Sequence, residues 1–496
     1  MRRMFWVVAT VLIALNVRGS EISQRRAADR QVRAAALKSL PDGVRKAESA
    51  YLAGLAATAQ WLITLQAKAE ASTIVSQIES LDDKYAALAD LKKNVAAIPA
   101  AVALDETKQK ELATRLKTAQ KGRATGLADL AATYYRSNLP TIACDLLRQA
   151  MDADPDNAAA RQALGYVRTG TEWREAYAAQ QTQKGNAYVP DVGWVPAAAA
   201  ERVKKGEWCE NGKWLPMDDA DKLHAEPARP WIVETQNFTI RSTQSRKDTV
   251  AAAERCEGMV QACCHEYANF FLREKRSPQM NFTLSMTKKM QVHLFGQKAE
   301  YDATIKRELK SIGAWAGFLS LLPGFYTPIS HASYFGPAIP EAFRGVYLNN
   351  QIAAQILSEV SGTSASGPKA WIKASVGNSI QAATPDEKGR WLVPAGHKHP
   401  AVTKATEMQA QKTLPALATL FPLDDGAFHS PLTPGNPEVA AALGRFLLET
   451  HEGAYAVDFL DFVYDSYKGV KNANLSDYIG IDNATLEKEF VEYLKQ

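Results

Sequence analysis

Trp231-Ile232-Val233-Glu234-Thr235-Gln236-Asn237-Phe238-Thr239-Ile240 is the stretch on which the architecture turns. Before it, apolar residues recur at helical spacing or sit in short hairpin signals. Within it, β-branched and aromatic residues alternate with polar ones, the period of a half-buried strand. The pattern predicts strands over 231–235 and 238–240, joined by a turn at Gln236-Asn237. Downstream it predicts a helix over 248–272. Strand candidates follow at Phe282-Thr283-Leu284 and Gln291-Val292-His293-Leu294-Phe295, and Ala299-Glu300-Tyr301-Asp302 opens a further helix. Helical spacing then runs over 340–361, 369–382, 401–420 and 436–469. Strands with helices first and helices afterwards make 230–496 an α+β domain with a helical second half.

Upstream, 170–229 repeats a Gly-Trp theme in Gly170-Thr171-Glu172-Trp173, Gly193-Trp194-Val195-Pro196, Gly206-Glu207-Trp208 and Gly212-Lys213-Trp214-Leu215-Pro216. Asn211-Gly212 is a strong two-residue hairpin signal. The segment is expected to form small hairpins whose tryptophans cover apolar surface. The alternative use of Trp194, Trp208 and Trp214 is an exposed, coplanar platform for envelope glycans. Over 125–169, Leu127, Leu130, Ala131, Tyr134, Ala143, Leu147, Ala150 and Pro155 stand at the spacing of a tetratricopeptide repeat. Small residues there would let two antiparallel helices approach, with the turn at Asn138-Leu139-Pro140 and the exit at Asp154-Pro155-Asp156-Asn157. A following helix is expected to begin at Leu164 and Gly165. Leu127, Tyr134 and Tyr135 are expected to line a partner groove.

Residues 21–124 are rich in Ala, Lys, Glu, Gln and Leu, with apolar residues at helical spacing such as Leu81, Tyr85, Leu88 and Leu91. Long amphipathic helices packed as hairpins are predicted, punctuated by Pro41 and Pro99. At the start, Arg2 and Arg3 precede an apolar run over 5–15, then Gly19 and Ser20, the form of a cleavable signal peptide over 1–20. The run is shorter than the roughly 20 residues a membrane span needs. The expectation is export, to a periplasmic, envelope or secreted location, with no stable span after cleavage.

The chain has 496 residues, enough for two to four domains and a sizeable core. Its 58 basic and 54 acidic side chains nearly cancel, which argues against a dedicated nucleic-acid binder. Five cysteines are few for an exported chain of this size. Cys256 and Cys263 fall seven positions apart in one predicted helix, about 10 Å, beyond disulfide reach.

The order of elements from 230 onward resembles the peptidase MA-like (gluzincin) domain of exported bacterial proteins, which often follows tetratricopeptide repeats. Phe238-Thr239-Ile240 resembles its opening strand. Val292-His293-Leu294-Phe295-Gly296 with Glu300-Tyr301 resembles the second strand and its helix. Pro323-Gly324-Phe325-Tyr326 resembles the Gly-x-Tyr turn before the edge strand, and Gly444-Arg445-Phe446-Leu447-Leu448 the late helix that backs the site. Where the family carries His-Glu-x-x-His, this chain has Gln351-Ile352-Ala353-Ala354-Gln355. Nineteen positions later (374 − 355 = 19), Trp371-Ile372-Lys373-Ala374-Ser375 has the shape of the element bearing the third ligand.

The departures fall on every chemical role. Two histidines at i and i+4 bind zinc and the intervening Glu activates the metal-bound water. Gln351 and Gln355 offer weak neutral oxygens instead, Ile352 cannot move a proton, and Ala374 supplies no ligand. Residues 345–380 contain no His and one acid, Glu359. The resemblance therefore implies a gluzincin-like body without peptidase chemistry: no catalytic residue, metal or cofactor, and a cleft marked by Gln351, Ile352, Gln355, Trp371 and Ala374.

Other residues compete for a site. His265-Glu266, on the early helix and without a second His, reads as a partly exposed helix surface. His397-Lys398-His399 could give two displaced metal ligands in a loop, with solvated histidines as the simpler reading. No Gly-x-Ser-x-Gly elbow and no phosphate-binding glycine loop occurs. The leading expectation is an exported, non-catalytic interaction protein with a protein or peptide partner. The alternatives are a hydrolase with displaced ligands and a glycan-binding module.

Overall fold

Good helix formers dominate the first third of the chain, and the computed structural model turns them into α1 (Arg2–Thr64), α2 (Lys68–Leu81), α3 (Leu88–Ala96), α4 (Glu106–Arg136), α5 (Pro140–Ala153) and α6 (Ala158–Ala163). It describes residues 2–99, 102–273, 279–284, 286–310, 317, 319–337, 341–362, 367–471 and 473–496, with 2–23 and 341–343 given as helix backbone alone. The side chains of the expected signal segment, 1–20, thus lie outside the described residues. The chain divides into two compact units. One is Val32–Arg174 with Ser277–Phe282, and the other is Met1–Gln31 with Glu175–Arg276 and Thr283–Gln496.

Two expectations for the helical region change. Helix α1 continues through Pro41, giving up one backbone hydrogen bond on an exposed turn. Leu81, Tyr85, Leu88 and Leu91 do not share a helix. Asp82 captures the backbone N–H of Lys84 at 3.0 Å, a local turn that competes with helix and separates α2 from α3. Pro99 does lie between helices, ahead of α4, whose first turn is capped by Asp105 accepting from the Lys108 N–H at 2.8 Å. Glycines bring α1 and α4 together: a Cβ on Gly54 would meet the Ala119 methyl at 2.7 Å. The core of this unit joins Leu55, Leu62, Ile74, Ile78, Leu91 and Val95. Helix α4 pairs with α5 across the turn at Asn138, which adopts φ 63°. Leu164 and Gly165 end α6 rather than begin a helix, because Gly165 takes φ 88° and turns the chain into a strand.

The Gly-Trp segment is a hairpin followed by a helix, three times over. The hairpins are β1 (Tyr166–Thr169) with β2 (Glu172–Glu175), β3 (Asn186–Val189) with β4 (Gly193–Pro196), and β5 (Glu207–Glu210) with β6 (Lys213–Pro216). Helices α7 (Ala176–Gln183), α8 (Ala200–Lys204) and α9 (Met217–His224) follow them. Gly165, Gly185 and Gly206, all at positive φ, open the hairpins. Gly185 and Gly206 each accept a closing bond through their carbonyls, from the N–H of Ala197 and Met217.

From Trp231 the expected strands form. β7 (Trp231–Glu234) and β8 (Phe238–Ser242) pair antiparallel, β9 (Met290–Leu294) runs parallel to β8, and β11 (Ala332–Phe335) runs parallel to β9. β10 (Gly324–Thr327) adds antiparallel to β11, giving the order β10-β11-β9-β8-β7. Phe282-Thr283-Leu284 joins no strand. Pro323-Gly324-Phe325-Tyr326, expected as a turn before the edge strand, contributes its last three residues to that strand itself.

Alternation sets the two faces of this sheet. Phe238, Ile240, Val292, Leu294 and Phe335 enter the main core with α10 (Arg246–Glu266) and α13 (Glu341–Ser361). Phe295, Phe325 and Tyr334 pack on Tyr301 and Ile305 of α12 (Lys298–Glu308) instead. The helix expected over 248–272 breaks at Tyr267 into α10 and α11 (Ala268–Leu272). The helical second half holds α14 (Ala370–Ile380), α15 (Pro400–Ala410), α16 (Leu417–Leu420), α17 (Asp425–Phe428), α18 (Asn436–Gly453), α19 (Ala456–Tyr467), α20 (Leu475–Ile479) and α21 (Asn483–Tyr493). The fold is thus predominantly helical with small sheets, α+β as expected.

Candidate functional site

Helix α13 carries Tyr347, Gln351, Gln355 and Glu359 at four-residue spacing, so they form one stripe along it. The stripe lies on the β10–β11 hairpin. Tyr347 donates its hydroxyl to the Gly324 carbonyl at 2.7 Å, and the Gln351 Oε1 accepts from the Tyr326 N–H at 3.0 Å. The Gln351 Nε2 is spent on Asn350 Oδ1 at 2.8 Å. Gln355 is fully buried. Its Oε1 accepts from the Ser333 hydroxyl at 2.8 Å and its Nε2 donates to the Gln291 carbonyl at 3.0 Å. Glu359 accepts from the Tyr326 hydroxyl at 2.8 Å and lies 2.9 Å from His331 Nδ1. His331 holds φ 53° at the turn between the two strands. Burial, with Glu359 beside it, raises the Tyr326 phenol well above its ordinary range, so it stays a neutral donor.

The remaining positions of the expected cleft are apolar core. Ile352 has no exposed surface, and Trp371 and Ala374 belong to the same cluster. Trp371 packs its ring against Phe421 at 4.5 Å and Phe462 at 5.7 Å. Gln351 and Gln355 therefore bond the sheet, while Ile352, Trp371 and Ala374 pack in the core. Among the described residues, no group of three or more His, Cys, Asp or Glu could hold a metal ion. What this arrangement does chemically is hold a helix to a strand pair through side-chain hydrogen bonds, with the Glu359 and His331 pair at its end.

The competing candidates resolve individually. His265 is buried and Glu266 largely so, correcting the expected surface position. Glu266 pairs with Arg445 at 2.7 Å, and Arg445 also donates through Nε to Glu449 at 2.7 Å. Burial alone would raise the Glu266 carboxyl, but Arg445 overrides it and holds it well below the usual range. His399 is buried, donates from Nε2 to the Ser379 carbonyl at 2.7 Å and accepts at Nδ1 from the Ala401 N–H at 3.2 Å. Both ring nitrogens are thus used, and burial pushes its pKa down to about 4. His397 stacks near Tyr493 instead, with ring centroids 6.1 Å apart.

Trp194, Trp208 and Trp214 are half-buried, and each is engaged by a neighbouring side chain rather than held as an exposed platform. Trp208 meets Trp231 edge-on at 4.9 Å, Trp194 meets Tyr188 edge-on at 5.4 Å, and the Arg202 guanidinium covers Trp214 at 4.0 Å. Leu127, Tyr134 and Tyr135 do not face an open groove. All three are buried, Tyr134 donates to the Ala36 carbonyl at 3.2 Å, and Tyr135 packs edge-on to Phe282 at 5.9 Å.

Sequence reasoning missed the Tyr347 and Glu359 ends of the stripe. Their four-residue spacing around Gln351 and Gln355 was the available signal. The pairing of Glu266 with Arg445, 179 positions away, left no local trace. Comparison with protein-family models, with curated proteins and with solved structures finds no match to this chain.

Proposed function

We propose that the chain is an exported, non-catalytic interaction protein. In this reading, a tetratricopeptide-like helical region precedes a gluzincin-like α+β domain whose hydrolytic positions now serve as a structural joint, and its partner is a protein or peptide. The observation that carries the reading is the saturation of the α13 stripe. Gln351 and Gln355 spend their amide groups on Tyr326, Ser333, Gln291 and Asn350, and Ile352 between them is core. A general base has no place there, because an acid at that point would be cut off from water. The sheet also supports the domain assignment, since an antiparallel edge strand lies against α13. A displaced site at His397 and His399 is disfavoured by the use of both His399 nitrogens. No described helix is long and apolar enough to cross a membrane. The test is incubation of the purified chain with casein and added zinc, with and without a chelator. The reading expects no chelator-sensitive cleavage; cleavage that the chelator abolishes overturns it.

A further inference from the structure

A strand at the end of a sheet presents a row of backbone N–H and C=O groups that any extended segment can pair with. β10 and β7 are the two ends of the five-stranded sheet. On β10, the Gly324 carbonyl accepts from Tyr347 and the Tyr326 N–H donates to Gln351. These bonds come from a helix and not from β11, so they engage the outward row of the strand. Gly324 and Tyr326 are two residues apart, about 6.7 Å along a strand. Tyr347 and Gln351 are four apart, about 6 Å along a helix. The two spacings match, so one helix face serves two successive outward groups.

The opposite edge is treated alike. On β7 the Ile232 carbonyl faces the Arg246 guanidinium at 3.4 Å, and the Glu234 carbonyl accepts from the Tyr177 hydroxyl at 2.8 Å. These acceptors are again two residues apart. Arg246 is itself fixed, donating to the Val192 carbonyl at 2.9 Å and lying over the Trp231 ring at 5.1 Å.

We propose that side chains cap outward backbone groups on both edges of this sheet, and that Tyr347 and Gln351 stand in for part of a neighbouring strand on β10. The caps keep β10 from adding a strand, above all from a second copy of this chain. This inference does not depend on the function proposed above, because a capped edge would serve a catalytic domain equally.

The test is residue-resolved hydrogen exchange at the Tyr326 amide. Gln351→Met keeps the side-chain bulk and loses the acceptor, while Gln351→Glu keeps an acceptor. The amide is expected to exchange about tenfold faster or more in the Met variant and at a near wild-type rate in the Glu variant. Equal exchange in the wild type and the Met variant overturns the cap. Light scattering then reads its consequence. Tyr347→Phe combined with Gln351→Met is expected to raise the apparent mass with concentration, relative to wild type at the same concentrations. A double variant that matches wild type while its Tyr326 amide exchanges fast overturns the role of the cap against strand addition.

Discussion

Ile352 lies between two glutamines that bond the sheet, and it has no exposed surface. A carboxylate placed there would leave water without a partner, which costs several kcal/mol. Ile352→Glu should therefore lower the free energy of unfolding by about 3 kcal/mol or more, read by urea denaturation. A loss under about 1 kcal/mol, the scale of a surface change, would mean that the position opens to solvent. His399 gives a second residue-level expectation. Its folded pKa is pushed down to about 4 by burial, with Arg445 adding to the effect. Between about pH 6.5 and about pH 4 the unfolded chain binds a proton that the folded histidine refuses, so stability falls as pH falls through that window. Glu266, held low by Arg445, adds a loss below the ordinary carboxylate range near 4.5. Urea titrations at pH 7 and pH 4.5 should show this decline, and His399→Asn should flatten it. An unchanged slope in that variant would remove His399 as the source. At this scale the sequence was partly legible. Gln351 and Gln355 could be read directly as neutral side chains on one helix face, at positions where the proposed family resemblance would place metal ligands. Their partners Tyr326 and Ser333 lie more than 20 positions upstream, and no local pattern names them.

Elements were legible where the cue was local. The alternation over 231–240 gave β7 and β8, and Asn211-Gly212 gave the β5–β6 hairpin, with both turn residues at positive φ. Elements were misread where a side chain interrupts a period. Asp82 ends α2 by capturing a backbone N–H, although the apolar spacing continues past it. Packing between helices was invisible for the same reason: glycine contacts depend on what lies opposite. Helices α14 and α18 cross so closely that a Cβ on Gly444 would fall 1.9 Å from the Ser375 carbonyl oxygen. Gly444→Ala must then push the helices apart and should cost about 1–3 kcal/mol or more. Gly122 in α4 has nothing within 4 Å of its added Cβ, so Gly122→Ala should stabilise by about 0.5–1 kcal/mol. Thermal unfolding of the two variants checks the contrast, and shifts of the same sign would contradict this picture of the α14–α18 crossing.

For the whole molecule, the mixed five-stranded sheet, with α13 laid against its β10 edge, is the feature on which the proposed function rests. The order of elements anticipated an α+β domain with a helical second half, because order survives in sequence when individual contacts do not. The polar seam under α13 is the central claim: in the reading proposed above, the positions that would hold a metal in a gluzincin, Gln351 and Gln355, bond the sheet instead. The most direct test is zinc bound per chain, measured by elemental analysis after dialysis against excess zinc and then metal-free buffer. The seam predicts a ratio far below one, unchanged in Gln351→Met and Gln355→Leu. A ratio near one in the wild type that falls in either variant would contradict it.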